Sequence, residues 1–344
     1  MTATPISRLS RRGLLAAGGS FGALTALTAC GGEDSGDGDT ADQPGGGGWS
    51  FTDDRGETVE LDAAPRILVA YVGSAAALVD YGIECTGVFG PTLLPGGEPD
   101  VQAVNLDVDA LTVVGNAWGE FNIEEYARLE PDLLISNVHT VPDLWYVPED
   151  SADEILALAP SVGILTLATP LRTAVERYAE LAEALGADLS APAVTEARSR
   201  FEAAAEALRQ TARDNPGIKV LALSATADQV WFASPEQLPD LTYYQDLGVE
   251  FITPENPQDG VFEPVSWEDV DRYPADLILV DNRTANLQPD QLAESKPTWR
   301  ALPAVEAGQV AAWTSEPAYS HARCAPLLED LAEALRTATA VSGS

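Results

Sequence analysis

The chain has 344 residues, 45% of them hydrophobic, and a formal charge of −35 at pH 7. That length suits one two-lobed protein or two domains, with an ordinary globular core. So acidic a surface repels phosphate backbones and anionic lipid, which counts against a nucleic-acid partner. The acids are spread along the chain rather than clustered. Spread acidity suits solubility in a crowded or salty exterior, and attraction of cationic ligands or a basic partner is the alternative.

Arg8, Arg11 and Arg12 precede an apolar run that ends in Leu27-Thr28-Ala29-Cys30. A basic stretch, an apolar stretch and small residues, in that order, form a secretory signal. Ser10-Arg11-Arg12-Gly13-Leu14-Leu15 resembles the twin-arginine export variant. Leu-Thr-Ala-Cys resembles the bacterial lipobox, in which Cys30 would be diacylated and become the mature N-terminus. A membrane span would need about 18 or more apolar residues, and this run is shorter and rich in Gly and Ala. Residues 1–29 contain three arginines and no acid, so the remainder carries −38. Residues 30–49 are nearly devoid of apolar side chains and end in four consecutive glycines before Trp49. Such a segment cannot bury enough surface to fold and is expected to be a flexible tether.

Residues 51–61 read as a hairpin with Asp54, Arg55 and Gly56 at its turn. Strands follow at 66–71, 86–89, 132–136 and 162–167, separated by helices at 74–80, 122–129 and 151–158. This alternation predicts a parallel α/β lobe over 50–168. Two helices then come in succession, at 170–185 and 192–213, and break the rhythm as a connector would. Strand segments resume at 219–223, 230–233, 276–280 and 310–313, with helices at 243–247, 267–271 and 326–338. Glu130-Pro131-Asp132-Leu133-Leu134-Ile135 is echoed by Tyr273-Pro274-Ala275-Asp276-Leu277-Ile278, so two similar lobes are the simplest arrangement. The expected boundaries are a first lobe over 50–168, a connecting helix over 169–188 and a second lobe over 189–344.

The chemical inventory is informative for what it lacks. The two histidines, His139 and His321, lie far apart, and no H-x-x-x-H or C-x-x-C spacing occurs. There is no G-x-S-x-G, no G-x-G-x-x-G and no G-x-x-x-x-G-K-[ST]. An enzyme is therefore not expected, nor a resident cofactor or directly bound metal. A secreted lipoprotein hydrolase with a triad built from distant residues is the alternative from another class. Cys85 and Cys324 form an even pair, which allows either one disulfide or two buried free thiols.

Four segments in order resemble the iron-siderophore and cobalamin class of ABC-transporter substrate-binding lipoproteins. They are Asp54-Arg55-Gly56 to Pro65-Arg66-Ile67, Asn122-Ile123-Glu124 to Ile135, Val265-Ser266-Trp267-Glu268 to Val280, and Trp299-Arg300-Ala301-Leu302-Pro303-Ala304-Val305 to Val310. The resemblance implies two Rossmann-like lobes joined by a long rigid helix, here 170–185, with ligand held between them. It implies an ABC permease and its ATPase as partners, and a small-molecule iron chelate as cargo. It also implies one permease-docking glutamate per lobe, carried over to Glu124 and Glu268. Such a protein is expected to be a monomer, held by lipid at the outer face of the cytoplasmic membrane.

Within that frame, residues in or near loops after strands are ligand candidates: Trp118, Trp145, Tyr146, Trp231, Phe232, Arg283, Trp313, Tyr319, His321 and Arg323. Aromatic faces suit a hydroxamate or catecholate shell, and arginine suits an anionic complex. Trp231, Arg283 and Trp313 stand out because each falls at or just past a second-lobe strand end. The strong net acidity favours a neutral or cationic ferric hydroxamate. Cobalamin and haem remain alternatives of the same class, with His321, His139 or Tyr319 as axial candidates for haem.

Overall fold

The computed structural model describes residues 48–103 and 105–343. The export signal, Cys30 and most of the tether lie outside the described residues. The described chain opens with a hairpin of β1 (Trp49–Thr52) and β2 (Thr58–Leu61). Asp53 fixes its turn by accepting from the backbone N–H groups of Arg55, Glu57 and Gly163 at 2.8–3.1 Å. Arg55 donates to the Ser161 carbonyl at 2.8 Å, so this turn fastens the hairpin to the sheet that follows.

That sheet is built from β3 (Leu68–Tyr71), α1 (Val72–Val79), β4 (Gly87–Phe89), β5 (Thr112–Gly115), α2 (Ile123–Arg128), β6 (Leu133–Val138), α3 (Ala152–Leu156) and β7 (Ser161–Leu165). Its order is β5-β4-β3-β6-β7, with every pairing parallel. The central strands read LVAY and LLISNV and are buried on both faces, as apolar runs covered by helices must be. The strand order reverses between β3 and β6. At such a switch point the chain departs in opposite directions and leaves a crevice at the carboxyl ends of the strands.

Helices α4 (Leu171–Ala184) and α5 (Pro192–Asp214) follow. The next elements are β8 (Lys219–Ala225), β9 (Val230–Ala233), α6 (Pro239–Asp246), β10 (Glu250–Phe251) and β11 (Phe262–Val265). The chain closes with β12 (Leu277–Asp281), α7 (Pro289–Ser295), α8 (Pro297–Arg300), α9 (Pro303–Glu306), β13 (Val310–Trp313) and α10 (His321–Thr337). The second sheet runs β11-β9-β8-β12-β13, with β10 pairing beside the start of β8. β8, β12 and β13 are parallel, and β9 and β11 are antiparallel additions. Helix α4 packs on α1, β1 and β7 of the first lobe and on α6 of the second, whereas α5 packs along α10. The fold is thus two α/β lobes with helices between their sheets.

The repeated Pro–Asp motif has a structural cause. Asp132, just before β6, accepts from the N–H groups of Arg66 and Ile67 at 2.8 and 2.9 Å and so holds the entry to β3. Asp276, just before β12, accepts from the Lys219 N–H at 2.8 Å and holds the start of β8. Each aspartate therefore clamps the neighbouring central strand of its own lobe.

Several boundaries differ from the sequence reading. The last helix begins at His321 rather than residue 326, because Ser320 accepts from the Arg323 N–H and caps it there. Pro326 sits inside that helix. β5 and β11 were not anticipated: they are short, and β11 contains Glu263 and Pro264, which weaken a strand pattern. Cys85 and Cys324 are both free thiols, so the disulfide alternative is corrected in favour of two separate cysteines. Burial pushes the Cys85 thiol up to about 12 and raises Cys324 as well.

Candidate functional site

A cavity of about 490 Å³ opens between the carboxyl ends of the two sheets. This is within the range of small-molecule sites. First-lobe residues His139 and Trp145 line it from the segment after β6. From the second lobe come Trp231 on β9, Arg283 after β12, and Glu316 and Tyr319 after β13.

The first-lobe wall is aromatic. His139 lies against Trp145 with ring centroids 3.8 Å apart and planes tilted by 32°, and Tyr146 stacks on Tyr71 at 5.3 Å. Trp118 meets both Trp145 and Tyr146 at 4.8 and 5.1 Å while remaining 65% exposed. Burial lowers the His139 pKa from its usual value, so the imidazole is neutral at pH 7.

The second-lobe wall is charged. Asp281, at the end of β12, is fully buried and accepts from Nε and Nη2 of Arg283 at 2.9 and 2.7 Å. Ser224 donates to the same carboxylate at 2.8 Å. The other arm of the guanidinium pairs with Glu316. Glu316 also accepts from Tyr71 at 2.8 Å and from Gln102 and Trp145 at 3.3 Å, which ties this wall to the first lobe. Burial alone would push the Glu316 carboxyl up, but the Arg283 charge and the hydrogen-bond donors Tyr71 and Trp145 outweigh it and hold it below its usual range. Arg283 is likewise raised because its two carboxylate partners outweigh desolvation.

Backbone strain collects at the same place. Tyr146, Ala168 and Asp259 are three of the four described non-glycine residues with positive φ. A bulky side chain rarely adopts that conformation, and it persists where surrounding contacts impose it. The N–H of Ala168 donates across the lobes to the Gln237 carbonyl at 2.7 Å, and Asp259 lines the cavity.

Of the sequence-derived ligand candidates, Trp145, Trp231, Arg283 and Tyr319 line this cavity, and Tyr146 and Trp118 flank it through Trp145. The rest lie elsewhere. Phe232 follows Trp231 on one strand, so its side chain points to the opposite face and is fully buried against Tyr273. Trp313 is buried and donates to Asp240 at 2.6 Å, which makes it a packing residue. His321 sits within reach of the Tyr81 hydroxyl, 2.9 Å from its Nδ1, and lines a different cavity of about 350 Å³ with Arg172, Leu189 and Phe201. Arg323 pairs with Asp80 at 3.4 Å. Glu316, Asp281 and Asp259 were missed by sequence reasoning. The only available signal was an acid just past a strand end, which −38 of net charge obscures.

Glu124 and Glu268 occupy matching turns. Glu124 is in the first turn of α2, whose N-cap Asn122 accepts from the Glu125 N–H at 3.0 Å. Glu268 is in the 3-10 turn Trp267–Asp269 that follows Ser266. In each turn the next acid is tied to an arginine three residues on: Glu125 to Arg128, and Asp269 to Arg272. Glu124 and Glu268 are exposed and have no ion-pair partner among the described residues.

No described helix is long and apolar enough to cross a membrane. Comparison with known proteins agrees with this architecture. The model of the periplasmic binding protein family matches residues 69–317. The chain is 48% identical to DesE, a ferric-siderophore receptor protein from Streptomyces coelicolor, over 85% of this chain and 99% of that one, with a TM-score of 0.82. The siderophore periplasmic binding protein from the fuscachelin gene cluster of Thermobifida fusca shares the fold at 22% identity, covering 80% and 97% of the two chains with a TM-score of 0.57. So does the siderophore binding protein FhuD from Vibrio cholerae, at 18% identity, 79% and 98% coverage and a TM-score of 0.55. No curated protein matches the chain. With its two lobes, its cleft at the strand ends and a family match over most of its length, the chain belongs to the periplasmic binding protein family, a class of extracytoplasmic substrate-binding proteins.

Proposed function

We propose that this protein captures a ferric siderophore of hydroxamate type in the cleft between its lobes and delivers it to an ABC importer. The observation that carries this reading is the pairing of an aromatic wall at His139 and Trp145 with an arginine neutralised by Asp281 and Glu316. Aromatic faces and the remaining Arg283 N–H groups suit a chelate whose oxygens already fill the iron coordination sphere. A strongly anionic tris-catecholate complex would instead need unneutralised cations. The 48% identity to a ferric-siderophore receptor supports the same cargo.

Delivery rests on Glu124 and Glu268. Each is exposed at the start of its turn, while its neighbouring acid is taken up by a local arginine. One unpaired carboxylate per lobe suits two arginines on a roughly symmetric permease. Diacylation of Cys30, after export by a twin-arginine or general secretory signal, would hold a monomer beside that permease at high local concentration. Residues 31–48 then act as the leash, and the protein needs no resident cofactor because the iron complex is its cargo.

A thermal-shift panel of a ferric trihydroxamate, a ferric tris-catecholate, cobalamin and haem tests the cargo. Ligand that binds only the folded state stabilises it by about 2.7 kcal/mol at a hundredfold excess over Kd, a rise of several degrees in Tm. The trihydroxamate is expected to give the largest shift. A shift with haem or cobalamin alone, or none with either ferric chelate, overturns the reading.

A further inference from the structure

We infer that Glu316, assisted by Asp259 at the rim, selects the charge of the bound chelate and favours a cationic complex over an anionic one of the same shape. The inference rests on the siderophore-binding reading and adds a specificity determinant to it. Among the described residues, Arg283 is the only arginine or lysine lining the cavity. Asp281, fully buried behind it, already supplies one full countercharge through two hydrogen bonds. Glu316 is therefore surplus to neutralisation, and Asp259 adds a further acid with no described cation beside it. With His139 neutral, the cleft is left net negative.

The surplus charge is also held in place. Glu316 has a donor on each oxygen: Arg283 on Oε1, and Tyr71, Gln102 and Trp145 on Oε2. A carboxylate so fixed cannot swing away from an anionic ligand. Its position among low-dielectric aromatic walls strengthens its field at the cavity relative to an exposed acid. A receptor for an anionic chelate would gain nothing from it, whereas one for a chelate bearing a free ammonium group would.

The alternative role for Glu316 is a latch between lobes, since its Oε2 partners all belong to the first lobe. The two roles separate by experiment. Three forms of one linear ferric trihydroxamate serve as probes: with its terminal ammonium free, with that amine acetylated, and with it succinylated. They are cationic, neutral and anionic around an identical iron centre. Wild-type protein should bind the cationic form at least about tenfold more tightly than the anionic form. Glu316→Gln should narrow that ratio about tenfold, while Glu316→Asp should preserve the order. Asp259→Asn should narrow it about twofold to threefold, and asparagine tolerates the positive φ at that exposed position.

Equal losses for all three probes in Glu316→Gln would mark a latch and overturn the inference. Should that variant fail to fold, an unchanged ratio in Asp259→Asn overturns it. If wild-type protein binds none of the three, the siderophore reading falls and the inference with it. Binding of all three with no charge preference overturns the inference alone.

Discussion

The two lobes match in their strand clamps and in the turns that carry Glu124 and Glu268, and differ in the wall each presents to the cleft. At the starts of their central strands, Asp132 and Asp276 perform the same backbone clamp. In the turns before those aspartates, Glu124 and Glu268 stand beside acids tied to Arg128 and Arg272. In the walls of the cleft the resemblance stops. The first lobe presents the aromatic cluster of His139, Trp145, Tyr146 and Tyr71, and the second presents Asp281, Arg283 and Glu316. Repetition suits a common scaffold and a two-fold partner. Asymmetry suits one ligand whose faces are unlike.

The largest effect should come from breaking the matched outer pair. Glu124→Arg combined with Glu268→Arg is expected to abolish uptake of a radiolabelled ferric chelate in cells while leaving its Kd unchanged. A weakened Kd would show that these acids serve the cleft instead.

Next comes the contrast between adjacent residues of β9. Phe232→Ala removes a fully buried ring and should cost about 3–5 kcal/mol of stability, read as a fall in denaturation midpoint. Trp231→Ala should scarcely change that midpoint but weaken chelate binding about tenfold. Swapped outcomes would reverse the assignment of the strand's faces. Trp145→Ala sharpens the same contrast from the first lobe. It removes both the ring contact with His139 and a hydrogen bond to Glu316, so chelate affinity should again fall about tenfold or more, by titration of fluorescence quenching.

The smallest effect concerns pH. Burial pushes the Asp240 carboxyl up to about 7, against its ordinary value near 4. The folded protein then holds a proton there that the unfolded chain has released. This contribution to stability is fully present below about pH 4 and is lost as pH rises through about 7. Burial pulls His321 down to about 4, so its contribution is present above its ordinary value and lost as pH falls through about 4. The two slopes oppose each other in mildly acid solution. Relative to wild type, Asp240→Asn should therefore lose Tm progressively as pH is lowered from 7 to 5. A pH-independent difference would show that Asp240 is not the titrating group.

Much of the scaffold was legible because it rests on local patterns. The runs at Leu68–Tyr71, Leu133–Val138 and Leu277–Asp281 are too apolar to be anything but covered strands. The Pro–Asp echo stands in the sequence because one backbone requirement, the clamp by Asp132 and Asp276, recurs in each lobe, whereas Glu124 and Glu268 were singled out only by the family resemblance. The cleft was only half legible. Trp145, Trp231, Arg283 and Tyr319 could be proposed from their place near strand ends. Phe232, Trp313 and His321 have the same character and a similar place, yet face the core or another cavity. Face and depth depend on register and on neighbours far away in sequence.

Glu316 is the sharpest case. Nothing local distinguishes it from the many other acids of the chain. Its partners Tyr71, Gln102, Trp145 and Arg283 lie between 33 and 245 residues away. The sequence by itself determined two α/β lobes and their order, since these follow from hydrophobic period, turn chemistry and motif spacing. Only the tertiary structure decided which strand ends meet, which side chains turn into the cleft, and that Arg283 is paired with two carboxylates. Charge is a property of what gathers around a point in space, and the chain brings those groups together only by folding.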